Sequence, residues 1–285
     1  MTDIFDFSAP PPLYAVMGNP VAHSKSPQIH KMFSEQCDVR LQYDRIQVDV
    51  GGFEQAVQYF QSNGGRGLNI TVPFKVEAWR LADELSARAR RTEAVNTIQF
   101  EHDMIIGDNT DGVGLVTDLK KNLHCSLTGK KILILGAGGA VRGVLQPVLE
   151  KAPANLTVAN RTVDKAVALA GQFNDLGEII ACGFDKLHGQ TFDLVVNGTA
   201  ASLADELPPL PDQLFNENAL AYDMMYADKP TVFMRWANEH GAARTADGIG
   251  MLVEQAAESF FIWHGVRPET TPVIEFFMRD NRPHA

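Results

Sequence analysis

Residues 69–75 read Asn-Ile-Thr-Val-Pro-Phe-Lys, a spacing that can set a proton-transferring lysine beside a hydrogen-bonding surface. Side chains alternate along a strand, so Asn69 and Thr71 are expected on one face while Ile70 and Val72 point into packing. Pro73 cannot donate to a ladder, so pairing should stop there and leave Phe74 and Lys75 at a strand end, where open α/β sheets gather ligands. Taken alone, such an ending more often carries a solvated lysine. The second group with chemical reach is Asp111, in the polar run Gly107-Asp108-Asn109-Thr110-Asp111-Gly112. A lysine held beside a carboxylate can give or take a hydroxyl proton, so Lys75 reads as general acid/base and Asp111 as its orienting partner. Neutral residues at turns complete the set: Ser24 and Ser26 after Gly18, and Asn96 after Ala94-Val95. They suit a small polyhydroxylated ligand, although Ser24 and Ser26 serve as readily as turn and cap residues.

A second constellation concerns a nucleotide. The apolar run Lys131–Leu135 leads into Gly136-Ala137-Gly138-Gly139-Ala140 and a helix expected to start near Val141. Such a turn lets the backbone approach a pyrophosphate at a helix N-terminus. The full G-x-G-x-x-G fingerprint is broken by Val141 at its third glycine. About 20 residues on, where NAD binders hold a ribose hydroxyl with an acid, the chain has Asn160-Arg161-Thr162 and then Lys165. Cations there attract a 2′-phosphate that an acid would repel, so the expected cofactor is NADP, with hydride transfer accompanying the proton moved by Lys75.

The elements that must position these groups alternate in type. Strands are expected at Leu13–Met17, Gln42–Val48, Leu68–Val72, Lys131–Leu135, Asn155–Ala159, Glu178–Ala181, Asp193–Val196 and Ala219–Tyr222. Helices fall at Phe53–Ser62 and after Ser26-Pro27, with Ser26 as N-cap and Pro27 at N1. A last helix follows Asp247-Gly248-Ile249-Gly250 and carries Met251, Gln255, Ser259 and Trp263 on one stripe, a glutamine standing where packing would prefer an apolar side chain. The pattern predicts an α/β protein with largely parallel sheets.

With 285 residues, 45% of them hydrophobic, the chain can build two domains at about 150 residues each. The crossing is expected at Gly107–Gly112. The substrate domain should span 1–111 plus 248–285, and a Rossmann-type NADP domain 112–247. There are 25 basic and 35 acidic residues, a net charge of −10, which argues against nucleic-acid or anionic-membrane partners. Met1–Pro12 has no basic or long apolar stretch, and no segment reaches the ~20 apolar residues of a membrane span. The expectation is a soluble, cytoplasmic protein, monomeric or homodimeric, without a metal. Cys37, Cys125 and Cys182 have no redox or zinc spacing and read as reduced thiols.

These segments, together with Gly18-Asn19-Pro20, His23-Ser24-Lys25-Ser26-Pro27, Ala94-Val95-Asn96-Thr97, Tyr222-Asp223-Met224 and Asp247-Gly248-Ile249-Gly250-Met251-Leu252, resemble those of the shikimate dehydrogenase family, in order over nearly the whole chain. The resemblance implies reversible NADPH-dependent reduction of 3-dehydroshikimate to shikimate, in aromatic amino-acid biosynthesis. It implies substrate contacts by Ser24, Ser26, Thr71, Asn96, Tyr226 and Gln255, with Asn69 nearby, and catalysis by Lys75 and Asp111. Gly136, Ala137, Gly138, Gly139, Ala140, Asn160, Arg161, Thr162, Lys165, Thr199, Met224 and Gly248 would line the cofactor. The family's fold returns the C-terminal helices to the first domain, which accounts for a polar Gln255 on an apolar stripe. The chain departs from the pattern at Lys165, where many relatives have arginine, and at Gly198 and Ala200, which replace the usual alanine and serine. Glu93 replaces a common glycine. Alternatives are a quinate/shikimate dehydrogenase of broader specificity and a metabolite sensor without turnover. Arg161 without an adjacent acid favours the first reading over the former, and intact Lys75 and Asp111 over the latter.

Overall fold

Pro10, Pro11 and Pro12 offer no N–H to a ladder, and the first strand begins directly after them. The computed structural model describes residues 10–199, 201 and 206–280. They form two compact units, Met1–Asn109 with Ala256–Glu269, and Thr110–Gln255 with Thr270–Ala285. One division thus lies inside the polar turn Gly107–Gly112. A second falls within a continuous helix, eight residues beyond the 247/248 boundary read from the sequence, and a third follows Glu269.

The first unit runs β1 (Leu13–Gly18), α1 (Ser26–Cys37), β2 (Gln42–Gln47), α2 (Phe53–Ser62), β3 (Gly65–Ile70), α3 (Lys75–Leu81), β4 (Glu84–Leu85), α4 (Ala87–Thr92), β5 (Thr97–Glu101) and β6 (Met104–Asp108). Its sheet has the order β2-β1-β3-β5-β6-β4. β1 pairs in parallel with β2 and β3, whereas β5 is antiparallel to both β3 and β6. The largely parallel pairing expected from the sequence holds for β1 with β2 and β3 and for β4 with β6, and the antiparallel pairs are confined to β5. His102 takes φ 54° in a two-residue connection that reverses the chain between β5 and β6, a hairpin that a crossover reading overlooks. The core beneath holds Leu68, Ile70, Phe74, Val95 and Ile98, with Phe53 stacked on Phe74 at 4.9 Å.

The second unit continues with α5 (Asp111–Thr117), a π-helical turn Asp118–Asn122, β7 (Lys131–Leu135), α6 (Gly139–Leu149), β8 (Asn155–Ala159), α7 (Val163–Gln172), β9 (Ile179–Cys182), β10 (Phe192–Asn197), β11 (Phe215–Asp223), α8 (Val232–Glu239), β12 (Arg244–Ala246), α9 (Ile249–His264) and α10 (Thr271–Asp280). Its six strands are all parallel, in the order β12-β11-β10-β7-β8-β9. Ile132 and Ile134 of β7 enter one apolar cluster, and Leu133 and Leu135 enter another. A continuous apolar strand covered on both faces is the hallmark of a central parallel position. α9 belongs to both units, returning to the first from Ala256 onward, while α10 groups with the second. Among the described residues, no helix is long and apolar enough to cross a membrane, and no three His, Cys, Asp or Glu side chains gather to hold a metal ion.

Candidate functional site

In the first unit, β3 ends at Ile70, so Thr71 and Val72 lie beyond the strand. Val72 is 55% exposed instead of packed, because the chain turns at Thr71, whose carbonyl accepts from the Phe74 N–H at 3.0 Å. Phe74 is fully buried and anchors the turn, so Lys75 emerges half-buried as the first residue of α3. α1 likewise begins one residue earlier than a cap at Ser26 would require: Lys25 is its N-cap, and Ser26 is the first helical residue. Ser24 takes the turn role, its Oγ accepting from the Ser26 N–H at 3.3 Å.

Four of the expected substrate residues of this unit belong to one hydrogen-bonded chain. Ser24 Oγ donates to Ser26 Oγ at 3.1 Å, and Ser26 in turn bonds the Tyr43 hydroxyl. Tyr43 donates to Asn69 Oδ1 at 2.7 Å. Asn69 Nδ2 donates to Ser259 Oγ at 3.0 Å, Ser259 and Thr97 share a bond of 2.8 Å, and Thr97 donates to Asn96 Oδ1 at 2.9 Å. Tyr43, Thr97 and Ser259 are links that sequence reasoning does not name as site residues. Ser259 is visible as a polar member of the α9 stripe, whereas Tyr43 passes for an ordinary strand aromatic. Burial pushes the Tyr43 phenol well above its usual range, with the Ser26 bond opposing, so it remains a donor. His30 stacks on Tyr43 at 4.3 Å, with the rings 8° from parallel. A cavity of about 230 Å³ in this unit, lined by Glu84, Ser86, Gln99 and Asp108 among others, includes none of Ser24, Ser26, Thr71 or Lys75.

In the second unit, Asp111 is 5% exposed and opens α5, with Thr110 as N-cap, where a carboxylate is favoured by the helix dipole. Thr110 Oγ1 donates to Gln255 Oε1 at 3.3 Å, and Gln255 Nε2 donates to the Leu252 carbonyl at 2.8 Å. The structure therefore brings Gln255 beside the N-cap that precedes Asp111. Tyr226 lies half-buried beyond the end of β11.

The nucleotide constellation forms the β7–α6 turn of the same unit. Gly136 has φ +106°, a left-handed conformation that glycine adopts without penalty. α6 begins at Gly139, two residues before the expected start, with Gly138 as N-cap. A Cβ at Gly138 or Gly139 would meet nothing within 4 Å, and neither has a positive φ. Nothing among the described residues requires glycine at these positions, whereas close approach of a pyrophosphate to the backbone does. Beyond β8, Asn160 Nδ2 donates to the Thr162 carbonyl at 2.8 Å, and Arg161, Thr162 and Lys165 are exposed, available to a 2′-phosphate. Thr199 is held by Asn197 at 2.8 Å. A Cβ at Gly248 would fall 2.2 Å from the Met224 carbonyl, so Gly248 and Met224, both expected cofactor residues, are neighbours. Ala200 lies outside the described residues. At Gly198 a Cβ would fall 2.4 Å from Val141 Cγ2, so the missing methyl of one departure makes room for the side chain of the other. Glu93 is the left-handed residue after α4, with φ 49°, where glycine is preferred.

Three protein-family models match the chain: the shikimate dehydrogenase substrate binding domain over residues 16–98, shikimate / quinate 5-dehydrogenase over 118–204, and the shikimate 5′-dehydrogenase C-terminal domain over 248–275. A shikimate dehydrogenase (NADP(+)) of Alkalilimnicola ehrlichii is 58% identical over 261 residues, 92% of this chain and 96% of its own. The crystal structure of an Ael1 enzyme from Pseudomonas putida is 46% identical, with a TM-score of 0.87, covering 93% of this chain and 98% of that one. The shikimate 5-dehydrogenase from Thermus thermophilus, solved in complex with NADP(H) and shikimate, is 32% identical with a TM-score of 0.83, covering 94% and 99%.

Proposed function

The chain belongs to the shikimate dehydrogenase family, and from that membership we infer that it catalyses the reversible NADPH-dependent reduction of 3-dehydroshikimate to shikimate. The observation that carries this reading is 58% identity, over nearly the full length of both chains, to a relative named for that activity and cofactor. The residues fit the cofactor: two glycines without an internal reason to be glycine, and exposed cations where an NAD binder needs an acid. NADPH supplies the hydride when bound. Gly136, Ala137, Gly138, Gly139 and Ala140 hold the pyrophosphate; Asn160, Arg161, Thr162 and Lys165 hold the adenosine end and its 2′-phosphate; Thr199, Met224 and Gly248 line the remainder.

Lys75 donates the proton that completes reduction of the carbonyl and withdraws it in the reverse direction, with Asp111 as its partner. Ser24, Ser26, Thr71, Asn96, Tyr226 and Gln255 read the hydroxyl and carboxylate groups of the substrate. Asn69 is the strut of this set, its amide tied to Tyr43 and Ser259. In functional terms, 1–111 with 248–285 forms the substrate domain and 112–247 the NADP domain. The enzyme works in the cytoplasm as a monomer or homodimer.

The test is nicotinamide absorbance on the purified chain, with shikimate or quinate and with NADP or NAD. Turnover of shikimate with NADP is expected. No reduction of either cofactor would reject an enzyme, and preference for quinate with NAD would favour the broader activity that one matching family description includes. Lys75→Ala should lower kcat by about 10²-fold or more while shikimate still binds; near-normal turnover would remove Lys75 from the mechanism.

A further inference from the structure

Two helical segments of the second unit meet at two glycines. A Cβ at Gly114 of α5 would lie 2.7 Å from the Met251 carbonyl and 2.7 Å from Gln255 Cβ, and a Cβ at Gly250 of α9 would lie 2.0 Å from Asp118 Oδ1. At each point one segment presents bare backbone to the other, so the two lie at close approach and a displacement of one moves the other. Asp118 stands at the second point. Asp118 is 3% exposed, and its carboxylate accepts from the Tyr222 hydroxyl at 2.7 Å and from Asn122 Nδ2 at 2.9 Å and takes the backbone N–H of Met251. Asn122 also donates to Glu254 at 3.0 Å, which separates the two buried acids.

The first four N–H groups of a helix lack partners within it. In α9, Asp247 takes that of Ile249 at 3.1 Å, and Asp118 takes that of Met251 from another segment. A buried carboxylate close to a second one is a costly spacer, and an apolar side chain would fill the space more cheaply. Its acceptors are what the position needs.

We propose that Asp118 is a positioning residue for the substrate end of this unit: it fixes the first turn of α9 against α5 and so sets the height of Gln255 beside Thr110 and Asp111. Gln255 follows Gly250 and Met251 by little more than one helical turn, and Asp118 follows Asp111 by about two. Both distances are short and rigid. The proposal rests on the assignment of Gln255 and Asp111 to substrate binding and catalysis.

Steady-state kinetics on the full chain test it. Asp118→Ala should raise the KM for shikimate about ten-fold, because misplacement on the ångström scale is enough to lose a productive contact. The KM for NADP should change less than that for shikimate, since the β7–α6 turn and the Asn160–Lys165 segment are untouched and only Gly248 of the cofactor residues adjoins the tethered turn. Asp118→Asn, whose Oδ1 still accepts, should restore the shikimate KM to within about three-fold of wild type. A mere filler would lower the melting temperature and leave both constants alone, and that result would overturn the proposal. Should Asp118→Ala not fold, Tyr222→Phe removes one tether of the carboxylate at constant shape, and an unchanged shikimate KM there would overturn it equally. An inactive wild-type chain would reject the proposed function and this inference together; an active wild type with unaltered variants would reject the role of Asp118 alone.

Discussion

His30 should make the first unit lose stability in mild acid, by an amount that one substitution removes. The ring is completely buried, stacked on Tyr43, with Phe33, Phe260 and Trp263 also around it, and among the described residues neither nitrogen has a partner at full hydrogen-bond geometry. Burial depresses its pKa to about 3, helped by the neighbouring His264 and opposed by the nearby Asn69 amide. The unfolded chain binds a proton near pH 6.5 that the folded chain refuses until about pH 3. Stability from this group is therefore complete above about pH 6.5 and declines as pH falls through that window. At about 1.4 kcal/mol per unit, moving from about pH 7.5 to about 5.0 costs about 2 kcal/mol. The perturbation is His30→Leu, which keeps an apolar volume and removes the titration. Urea unfolding followed by tryptophan fluorescence at both pH values gives the comparison, since Trp79 and Trp263 report on the first unit. The wild type should lose about 2 kcal/mol more than the variant between the two conditions. Equal pH dependence, or a His30 ring titrating near its ordinary pKa of about 6.5 by NMR, would refute the reasoning.

Other substitutions probe separate links. Tyr43→Phe leaves the Asn69 carbonyl and Ser26 without the shared hydroxyl and should cost about 1–3 kcal/mol in denaturant unfolding, with a raised shikimate KM; a neutral result would mean that the hydrogen-bonded chain is incidental. Glu93→Gly relieves a left-handed residue and should raise stability by about 0.5 kcal/mol or more, and a loss would show that the glutamate has a compensating role. Arg161→Ala should raise the KM for NADP about ten-fold or more while leaving activity with NAD unchanged; equal effects on both cofactors would place Arg161 away from the 2′-phosphate. Gly198→Ala should destabilise by about 1–3 kcal/mol, with recovery when Val141 is also shortened to alanine, measured as a double-mutant cycle. Additive losses would deny the contact.

Much of the second unit is legible in the sequence because its signals are local. Lys131–Leu135 is apolar at every position after the lysine, and the glycines that follow mark the turn directly. The first unit is harder. Its β5–β6 hairpin hides behind the two ordinary residues His102 and Asp103, whose conformation is set by strand pairing and not by a turn residue. The end of β3 escapes a sequence reading at Thr71 and Val72 because alternation predicts faces only while pairing continues. At the candidate site, Asn69 and Gln255 stand out as polar residues in apolar surroundings. The partners that hold them cannot be found that way: Asn69 and Ser259 are 190 residues apart, and no local pattern encodes such a bond. Asp118 is hidden for a related reason, since an acid in a helical stretch is ordinarily solvated and only the tertiary fold buries it.

The tight fit of Gly198 against Val141 also constrains which changes the two positions can accept. With glycine at 198, Val141 can be shortened at the cost of a void, on the order of 2 kcal/mol. With valine at 141, a methyl at 198 would be driven against Val141 Cγ2, so a larger residue at 198 is accepted only when 141 has first been shortened. The side chain that breaks the dinucleotide fingerprint therefore fixes the order in which the two positions can be altered.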